Sequence, residues 1–189
     1  MRGGIPNRIG HSIPTLINIA LKLAERMHKN NSGEENYPDI FREFVIPCIN
    51  GLYDDNNKNF ATLALRLHLQ AALASDRILK SQGADTTYDF CSNALMIYED
   101  VLPDTKEQAA VIPSIVGSIE KIENLDLETL DPLRVQTAQF SQRLFRKPDQ
   151  IQAILTTTHC FYKRTWAKTG KTGNTGKTSF NDYKKIINL

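Results

Sequence analysis

The sequence predicts an all-α protein in which antiparallel helix hairpins stack side by side. Apolar residues recur at intervals of three and four along most of the 189-residue chain, which is the spacing of one helix face. Residues 60–79 carry two such rows, so this helix needs neighbours on two sides. Helix pairs also recur at a nearly constant interval, and no segment predicts a strand with comparable strength.

Residues 60–79 are the element around which the other helices are predicted to pack. The leucines from Leu63 to Leu69 alternate with other residues, a pattern that by itself fits a half-buried strand. The next ten residues are rich in Ala and continue the helical spacing, so we interpret the whole stretch as a helix. Its two apolar rows are Phe60, Ala64, Leu67, Ala71, Ala74 and Ile78, and Leu65, Leu69 and Leu73.

Two helices are predicted before the central one. Residues 1–11 are rich in Gly and are expected to be a loose segment, after which Ser12 caps the first helix. Pro38 opens the second helix, and Pro47 is expected to kink it.

Five further helices are predicted after the central one, each introduced by a capping or proline signal. Residues 167–178, rich in Lys, Thr and Gly, are predicted to be a loop before the last of them. Neither end of the chain has a polar capping helix, which suggests a segment of a longer array. The predicted starts are Asp85, Asp104 with Glu107, Asp131 with Pro132, Pro148, and Ser179 with Asp182.

The first helices of successive hairpins begin near Ser12, Asn59, Asp104 and Pro148, which gives steps of 47, 45 and 44 residues. This period is in the range of HEAT and armadillo arrays. We therefore expect residues 12–189 to form a single right-handed α-solenoid segment of about four HEAT-like hairpins. Such arrays are scaffolds that hold partners on extended surfaces.

Charge is divided unevenly along the chain, although the net charge is only +2. From Lys163 onward there are seven Lys and Arg and one Asp, whereas residues 1–162 carry 16 basic and 20 acidic groups. Basic tails can bind nucleic acid or acidic membranes. This one has no regular basic face, so we interpret it as a solvated loop and predict no nucleic-acid partner.

The cysteines and histidines do not have the spacing of a catalytic or metal site. Cys48, Cys91 and Cys160 are far apart, odd in number and without a C-x-x-C motif, which predicts packed, reduced thiols in the cytosol. His159 and Cys160 are adjacent and would point about 100° apart on a helix. We predict no metal, no cofactor and no catalytic residue, and no membrane span or secretory signal.

Residues 169–178 superficially resemble a phosphate-binding loop, because they end in Gly-Lys-Thr. A P-loop needs a Gly separated by four residues from that Gly-Lys pair, and this position is Lys171. A helix also precedes the motif where a P-loop has a strand. A repeated T-G-K-T loop without bound nucleotide is the favoured interpretation.

Two groups of charged residues lie at predicted helix corners. We name Glu99, Asp100 and Asp104 the acidic corner, and Arg143, Arg146 and Lys147 the basic corner. Exposed ion pairs usually contribute under about 1 kcal/mol each to stability. On the tips of hairpins, however, such groups are accessible to a second molecule.

Four strings in this order resemble the C-terminal half of the large solenoid subunit of retromer, the vacuolar protein sorting-associated protein 35 family. The likeness runs from about Arg8 to the end of the chain and is densest over residues 63–162. The strings are Leu65-Arg-Leu-His-Leu-Gln-Ala-Ala-Leu73, Tyr98-Glu-Asp100 with Asp104, Pro132-Leu-Arg134, and Leu144-Phe-Arg-Lys-Pro-Asp-Gln150.

The resemblance implies a non-enzymatic part of a cytoplasmic coat, peripheral on endosome membranes, that sorts cargo toward the Golgi or the cell surface. In that family the C-terminal solenoid wraps the phosphoesterase-fold subunit, vacuolar protein sorting-associated protein 29. The matching segment here contains His159, Phe161 and Tyr162, with Tyr162 where the family has Trp. These three are expected to contact that subunit, the aromatics as buried anchors and His159 through hydrogen bonds.

The resemblance also implies self-association, because the family pairs through its C-terminal solenoid. The acidic corner and the basic corner occupy the matching positions and are expected to pair between two molecules. Two other interpretations stay open from the sequence. One is a different helical-repeat adaptor without retromer partners, and the other is an enzyme or nucleotide-binding protein that uses the T-G-K-T loop.

Overall fold

The computed structural model of the protein describes residues 5–30, 39–53, 60–102 and 105–169. Nearly all of these residues are helical, and no strand occurs among them. The predicted all-α fold class is thereby confirmed. The helices are α1 (Ile5–Lys29), α2 (Ile46–Asn50), α3 (Ala61–Leu79), α4 (Ala84–Asp100), α5 (Thr105–Lys121), α6 (Leu127–Arg143) and α7 (Lys147–Thr169).

The chain divides into two compact units. Unit 1 comprises Met1–Leu102 and Ile122–Leu125, and unit 2 comprises Pro103–Lys121 and Asp126–Leu189. The short segment Ile122–Leu125 therefore belongs to unit 1, although its flanking helices α5 and α6 belong to unit 2.

Unit 1 is built on the hairpin of α3 and α4, with α1 and α2 packed on α3. Its core contains Phe41, Leu65 and Phe90, all fully buried, and the two aromatic rings meet edge to face at 6.3 Å between centroids. Both predicted apolar rows of α3 supply buried side chains, among them Ala64, Ala71 and Leu69. The central position expected for this helix is confirmed within unit 1.

A buried carboxylate fixes the segment Ile122–Leu125 to α3. Asp76 is 5% exposed, and its two oxygens accept hydrogen bonds from the backbone N–H groups of Glu123 and Asn124, each at 3.0 Å. The Asn124 side-chain amide also donates to the Asp76 backbone carbonyl at 2.9 Å. This segment is thus held by a charged acceptor as well as by the apolar side chains of Ile122 and Leu125, which are buried.

Unit 2 contains α5, α6 and α7, and each of the three packs against the other two. Its core is aliphatic, with Ile112, Ile115, Ile119 and Leu130 at most 1% exposed. The isoleucines along α5 have three-four spacing and form the buried face of that helix.

In the N-terminal half of the chain, the first residues of α1 and α4 differ from the predicted ones. The first helix begins at Ile5, so Ser12 is an internal residue and part of the predicted loose segment 1–11 is helical. Within this extension, a side chain at Gly10 would collide with the Phe60 ring, so glycine lets the helix approach that ring closely. Asp85 is not a cap: α4 begins at Ala84, and Gly83 is at the N-cap position.

The turn between α3 and α4 is a 3₁₀ turn over Lys80–Gly83. Lys80 has a φ of 52°, an unusual conformation for a residue with a side chain. Gly83 lies against the Leu79 side chain with no room for a β-carbon, which fixes where α4 starts.

The helix starts near prolines differ from case to case. Pro148, predicted to open a helix, is the second residue of α7, and Pro47 is the second residue of α2, which follows a π-helix over Ile40–Val45. Pro132 does not open a helix, because α6 begins at Leu127 with Asp126 at the N-cap position, and Asp131 is internal.

Several predicted features fall wholly or partly outside the described residues. These are the helix start at Pro38, the cap at Asp104 and the helix over Ser179 to Leu189. Helix α7 extends to Thr169, so the predicted loop 167–178 begins as helix, and its remainder lies outside the described part.

Candidate partner-binding surface

Helices α6 and α7 are joined by a buried seam of hydroxyl groups. The Ser141 and Thr157 hydroxyls share a hydrogen bond of 2.7 Å, and both residues are at most 3% exposed. Each hydroxyl also lies within hydrogen-bond distance of a backbone carbonyl one turn earlier on its own helix, Thr137 for Ser141 and Ala153 for Thr157, so the two hydroxyl protons are shared among three contacts. With their polar atoms paired, these side chains can be buried, and they fix the register of α7 against α6.

Phe161 is held inside unit 2 by Arg134. Phe161 is 8% exposed, and the guanidinium carbon of Arg134 lies 5.9 Å from the centre of its ring. Arg134 is itself buried, and its Nη1 lies 3.4 Å from an Asp131 carboxylate oxygen. A buried, paired arginine over an aromatic face is a strong restraint on the position of that ring.

His159 and Phe161 do not share a face of α7. The two are two positions apart on a helix, and the structure places His159 on the exposed face and Phe161 in the interior. Tyr162 belongs to α7, but its side chain lies outside the described part of the structure. Of the three residues expected to contact a partner, His159 is therefore the one whose side chain the structure shows at the surface.

The exposed face of α7 also carries apolar residues that the sequence analysis did not single out as surface residues. Ile151 and Leu155 are 59% and 63% exposed and precede His159 at intervals of four. Their spacing made them look like core residues, because three-four periodicity alone does not distinguish a buried face from an exposed one.

The two charged corners are exposed where the structure describes them. Glu99 and Asp100 are the last two residues of α4 and are exposed, whereas Asp104 lies outside the described residues. All three residues of the basic corner are exposed, with Arg146 lying 3.6 Å from Asp149 and Lys147 donating to Gln150 at 3.1 Å. The corners lie in different units, acidic in unit 1 and basic in unit 2.

An open cleft of about 360 Å³ lies between α5 and α7 within unit 2. Its lining includes the cations Lys106 and Arg146 and the small residues Ala109, Ala110 and Ala153. No group of three or more potential metal ligands occurs among the described side chains. None of the helices that the structure describes is both long and apolar enough to span a bilayer.

The buried cysteines are held in the thiol form. Burial raises the pKa of Cys160 to about 12 against the opposing effect of the Arg134 guanidinium, and its Sγ donates to the Val116 carbonyl at 3.6 Å. Burial, with the nearby Asp76 carboxylate, raises the pKa of Cys91 to about 12. Neither group forms the thiolate that a nucleophilic cysteine needs, and Cys48 is only partly buried.

The Gly-Lys-Thr motif is mostly beyond the described residues. Thr169 is the last residue of α7, and residues 170–178 lie outside the described part. A helix, and not a strand, leads into the motif, as the sequence analysis expected.

Packed helix pairs with charged corners and an exposed apolar helix face define an all-α protein of the helical-solenoid class. Comparison with known families gives a more particular result. The chain belongs to the vacuolar protein sorting-associated protein 35 family, whose sequence profile matches residues 1–189.

Curated members of the family from plants and yeast are similar over most of this chain. Vacuolar protein sorting-associated protein 35C of Arabidopsis thaliana is 30% identical over 167 residues, which cover 84% of this chain and 20% of that protein. The 35B protein of the same plant is 30% identical, covering 86% and 20%. Vacuolar protein sorting-associated protein 35 of Schizosaccharomyces pombe is 29% identical, covering 82% and 18%. The chain thus spans about a fifth of the length of these relatives.

Proposed function

We propose that the chain is a non-enzymatic scaffold segment of the retromer coat, which carries proteins from endosomes to the Golgi and the plasma membrane. The observation that carries this proposal is the family match over all 189 residues. The packed helix pairs support it, because helical solenoids bind partners on extended surfaces. The segment acts on the cytoplasmic side of endosomes and reaches the membrane only through the complex.

The proposed partner is the phosphoesterase-fold subunit, vacuolar protein sorting-associated protein 29, and the proposed contact surface includes His159, Phe161 and Tyr162. The exposed imidazole of His159 can donate and accept hydrogen bonds at that surface. Phe161 supports the surface from below, since Arg134 and the α6–α7 seam fix its ring within unit 2. This division of roles follows from the opposite directions of the two side chains on α7.

A second proposed contact is between two copies of the protein. The acidic corner of Glu99, Asp100 and Asp104 would pair with the basic corner of Arg143, Arg146 and Lys147 on another copy. The exposure of the described members supports this proposal. Complementary charges of this kind steer association and make it sensitive to salt.

Isothermal titration calorimetry of the chain against purified phosphoesterase-fold subunit tests the first contact. We expect binding in the micromolar range or tighter for the wild type. His159→Arg is expected to weaken it by about tenfold or more, because it replaces the imidazole with a longer, cationic side chain within the proposed contact surface.

His11→Arg is the matched control, because it introduces the same change at another exposed histidine, on α1 in unit 1. It is expected to bind like the wild type. Equal binding by wild type and His159→Arg would remove His159 from the contact surface. Absence of binding by the wild-type chain would favour a helical-repeat adaptor without this retromer partner.

A further inference from the structure

Phe145 is the most exposed large hydrophobic side chain in the described part of the chain. It is 85% exposed and lies between Arg143 and Arg146 in the connection from α6 to α7. The preceding Leu144 has an extended backbone, with φ −61° and ψ 133°, and its side chain is buried. The side chain of Leu144 is thus directed into the protein, whereas that of the next residue, Phe145, is directed into solvent.

A comparable apolar side chain accompanies the acidic corner. Met96 is 48% exposed on α4, and Glu99 and Asp100 follow it by three and four residues. Residues at this spacing are neighbours on one helix face, so the three form a single exposed patch in unit 1. Each charged corner therefore has one large apolar side chain within it.

We name Arg143, Phe145 and Arg146 the Phe145 patch, and Met96, Glu99 and Asp100 the Met96 patch. We infer that Phe145 and Met96 are the apolar anchors of self-association, with the Phe145 patch of one copy docking on the Met96 patch of a second copy. This inference rests on the self-association proposed above and adds the residues that give it strength. Charge complementarity identifies the occupant: a cationic patch centred on an aromatic ring faces an acidic patch centred on a thioether. Sulfur–aromatic contacts are favourable, and aromatic residues and Met are enriched in interfaces.

The two kinds of contact respond differently to salt. Dissolved salt screens exposed charges and so weakens the attraction between them. The stabilisation that comes from burial of apolar surface is not screened. An interface with apolar anchors should thus lose part of its affinity at high salt and keep the remainder. An interface of charges alone should lose nearly all of it.

Sedimentation velocity of the intact chain over a concentration series, at about 50 mM and about 500 mM NaCl, tests the inference. We expect Phe145→Ser and Met96→Ser each to weaken self-association by about tenfold at high salt. Leu23→Ser is the matched control, because Leu23 is 51% exposed on α1 and lies in neither patch. Thermal unfolding of each variant verifies that the fold is unchanged, as expected for exposed positions.

Mixing the two variants provides a sharper test. The Met96→Ser chain keeps an intact Phe145 patch, and the Phe145→Ser chain keeps an intact Met96 patch. An equimolar mixture is therefore expected to form hetero-complexes more strongly than either variant associates with itself. This gain requires that the two patches meet between different molecules.

The outcomes separate this inference from the proposal on which it rests. Self-association that is lost on charge reversal but unchanged by Phe145→Ser and Met96→Ser would overturn the apolar anchors alone. No self-association of the wild type at either salt concentration would overturn both. Weakening by Leu23→Ser equal to that by Phe145→Ser would also overturn the assignment to these two patches.

Discussion

His68 is a buried histidine whose two ring nitrogens have no hydrogen-bond partner among the described residues. It lies on α3 with its ring 5.9 Å from that of Phe90, in the aromatic part of the unit 1 core. Burial lowers the pKa of His68 to about 4, because the charged imidazolium would lose its hydration there. The side chain is thus neutral at physiological pH and costs stability as an unpaired polar group.

The depressed pKa predicts that unit 1 loses stability as the pH falls from about 6.5 to about 4. In that interval the unfolded chain binds a proton at His68 and the folded chain does not, so protonation favours unfolding. Between pH 7.5 and pH 5.0 this protonation lowers the free energy of unfolding by about 2 kcal/mol. His68→Leu should remove it and raise the free energy of unfolding at pH 7.5 by about 1 kcal/mol. Urea unfolding at both pH values measures this.

His68→Gln separates the two effects, because glutamine keeps a buried polar group but does not titrate. We expect it to abolish the pH dependence without the gain in stability at pH 7.5. A wild-type pH dependence that persists in both variants would assign the titration to another group.

The sequence did not show which histidines would be buried. His68 is packed in the core, whereas His11 and His159 are exposed. The period of α3 could not place His68 against Phe90, because that contact depends on how α4 lies on α3. The contact between these two rings depends on how the helices pack, and the local sequence around either residue does not predict it.

At the scale of elements, Asp76 connects a helix to a loop that is 47 and 48 residues away in sequence. Its carboxylate receives two backbone N–H groups in a partly buried site, and hydrogen bonds to a charged acceptor contribute more than neutral ones. Asp76→Ala should lower the free energy of unfolding by about 3 kcal/mol, because both N–H groups lose their acceptor. Chemical denaturation followed by far-UV circular dichroism provides the measurement.

Asp76→Asn keeps one carbonyl acceptor and is expected to lose about half as much stability as Asp76→Ala. Asp89→Ala, at an exposed position of α4, is the control and should change stability by under about 0.5 kcal/mol. If Asp76→Ala and Asp89→Ala had equal effects, the carboxylate would not hold the segment Ile122–Leu125.

The limits of element boundaries predicted from sequence are clearest at α6. Asp131-Pro132 has the composition of a helix start, yet Pro132 is the sixth residue of the helix. Its ring removes one backbone hydrogen bond, to the carbonyl four residues earlier. Packing of the preceding turn overrides this loss, because Leu130 is fully buried in the unit 2 core. Helices α1, α4 and α6 were predicted correctly as helices, but the first residue of each differs from the predicted one.

At the scale of the whole molecule, charged and apolar surface residues differ in how well the sequence predicts them. Charged residues were found readily, because the basic corner and Glu99 with Asp100 are as exposed as expected. Exposed apolar residues such as Leu155 and Met96 were missed, because in a helical pattern they are indistinguishable from core residues. Phe145, in the connection from α6 to α7, was missed as well. Phe161 shows the converse: an aromatic residue expected at a partner surface is buried within its own unit.

Charge reversal tests whether the two corners meet between molecules. Asp100→Lys places a cation in the acidic corner, and Lys147→Glu places an anion in the basic corner, so each alone makes a like-charge contact with the partner copy. Each single variant is expected to weaken self-association by about tenfold at about 50 mM NaCl, and the double variant to recover most of it. The effect should diminish at about 500 mM NaCl, where exposed charges are screened.

Sedimentation velocity measures this recovery, and Lys22→Glu on α1 is the control for a change in net charge alone. The two single variants change the net charge in opposite directions, so net charge alone would not weaken self-association in both. Recovery in the double variant therefore requires that position 100 of one copy lies close to position 147 of another. A double variant as weak as the sum of the single ones would show that the corners act separately, by long-range repulsion and not by direct pairing.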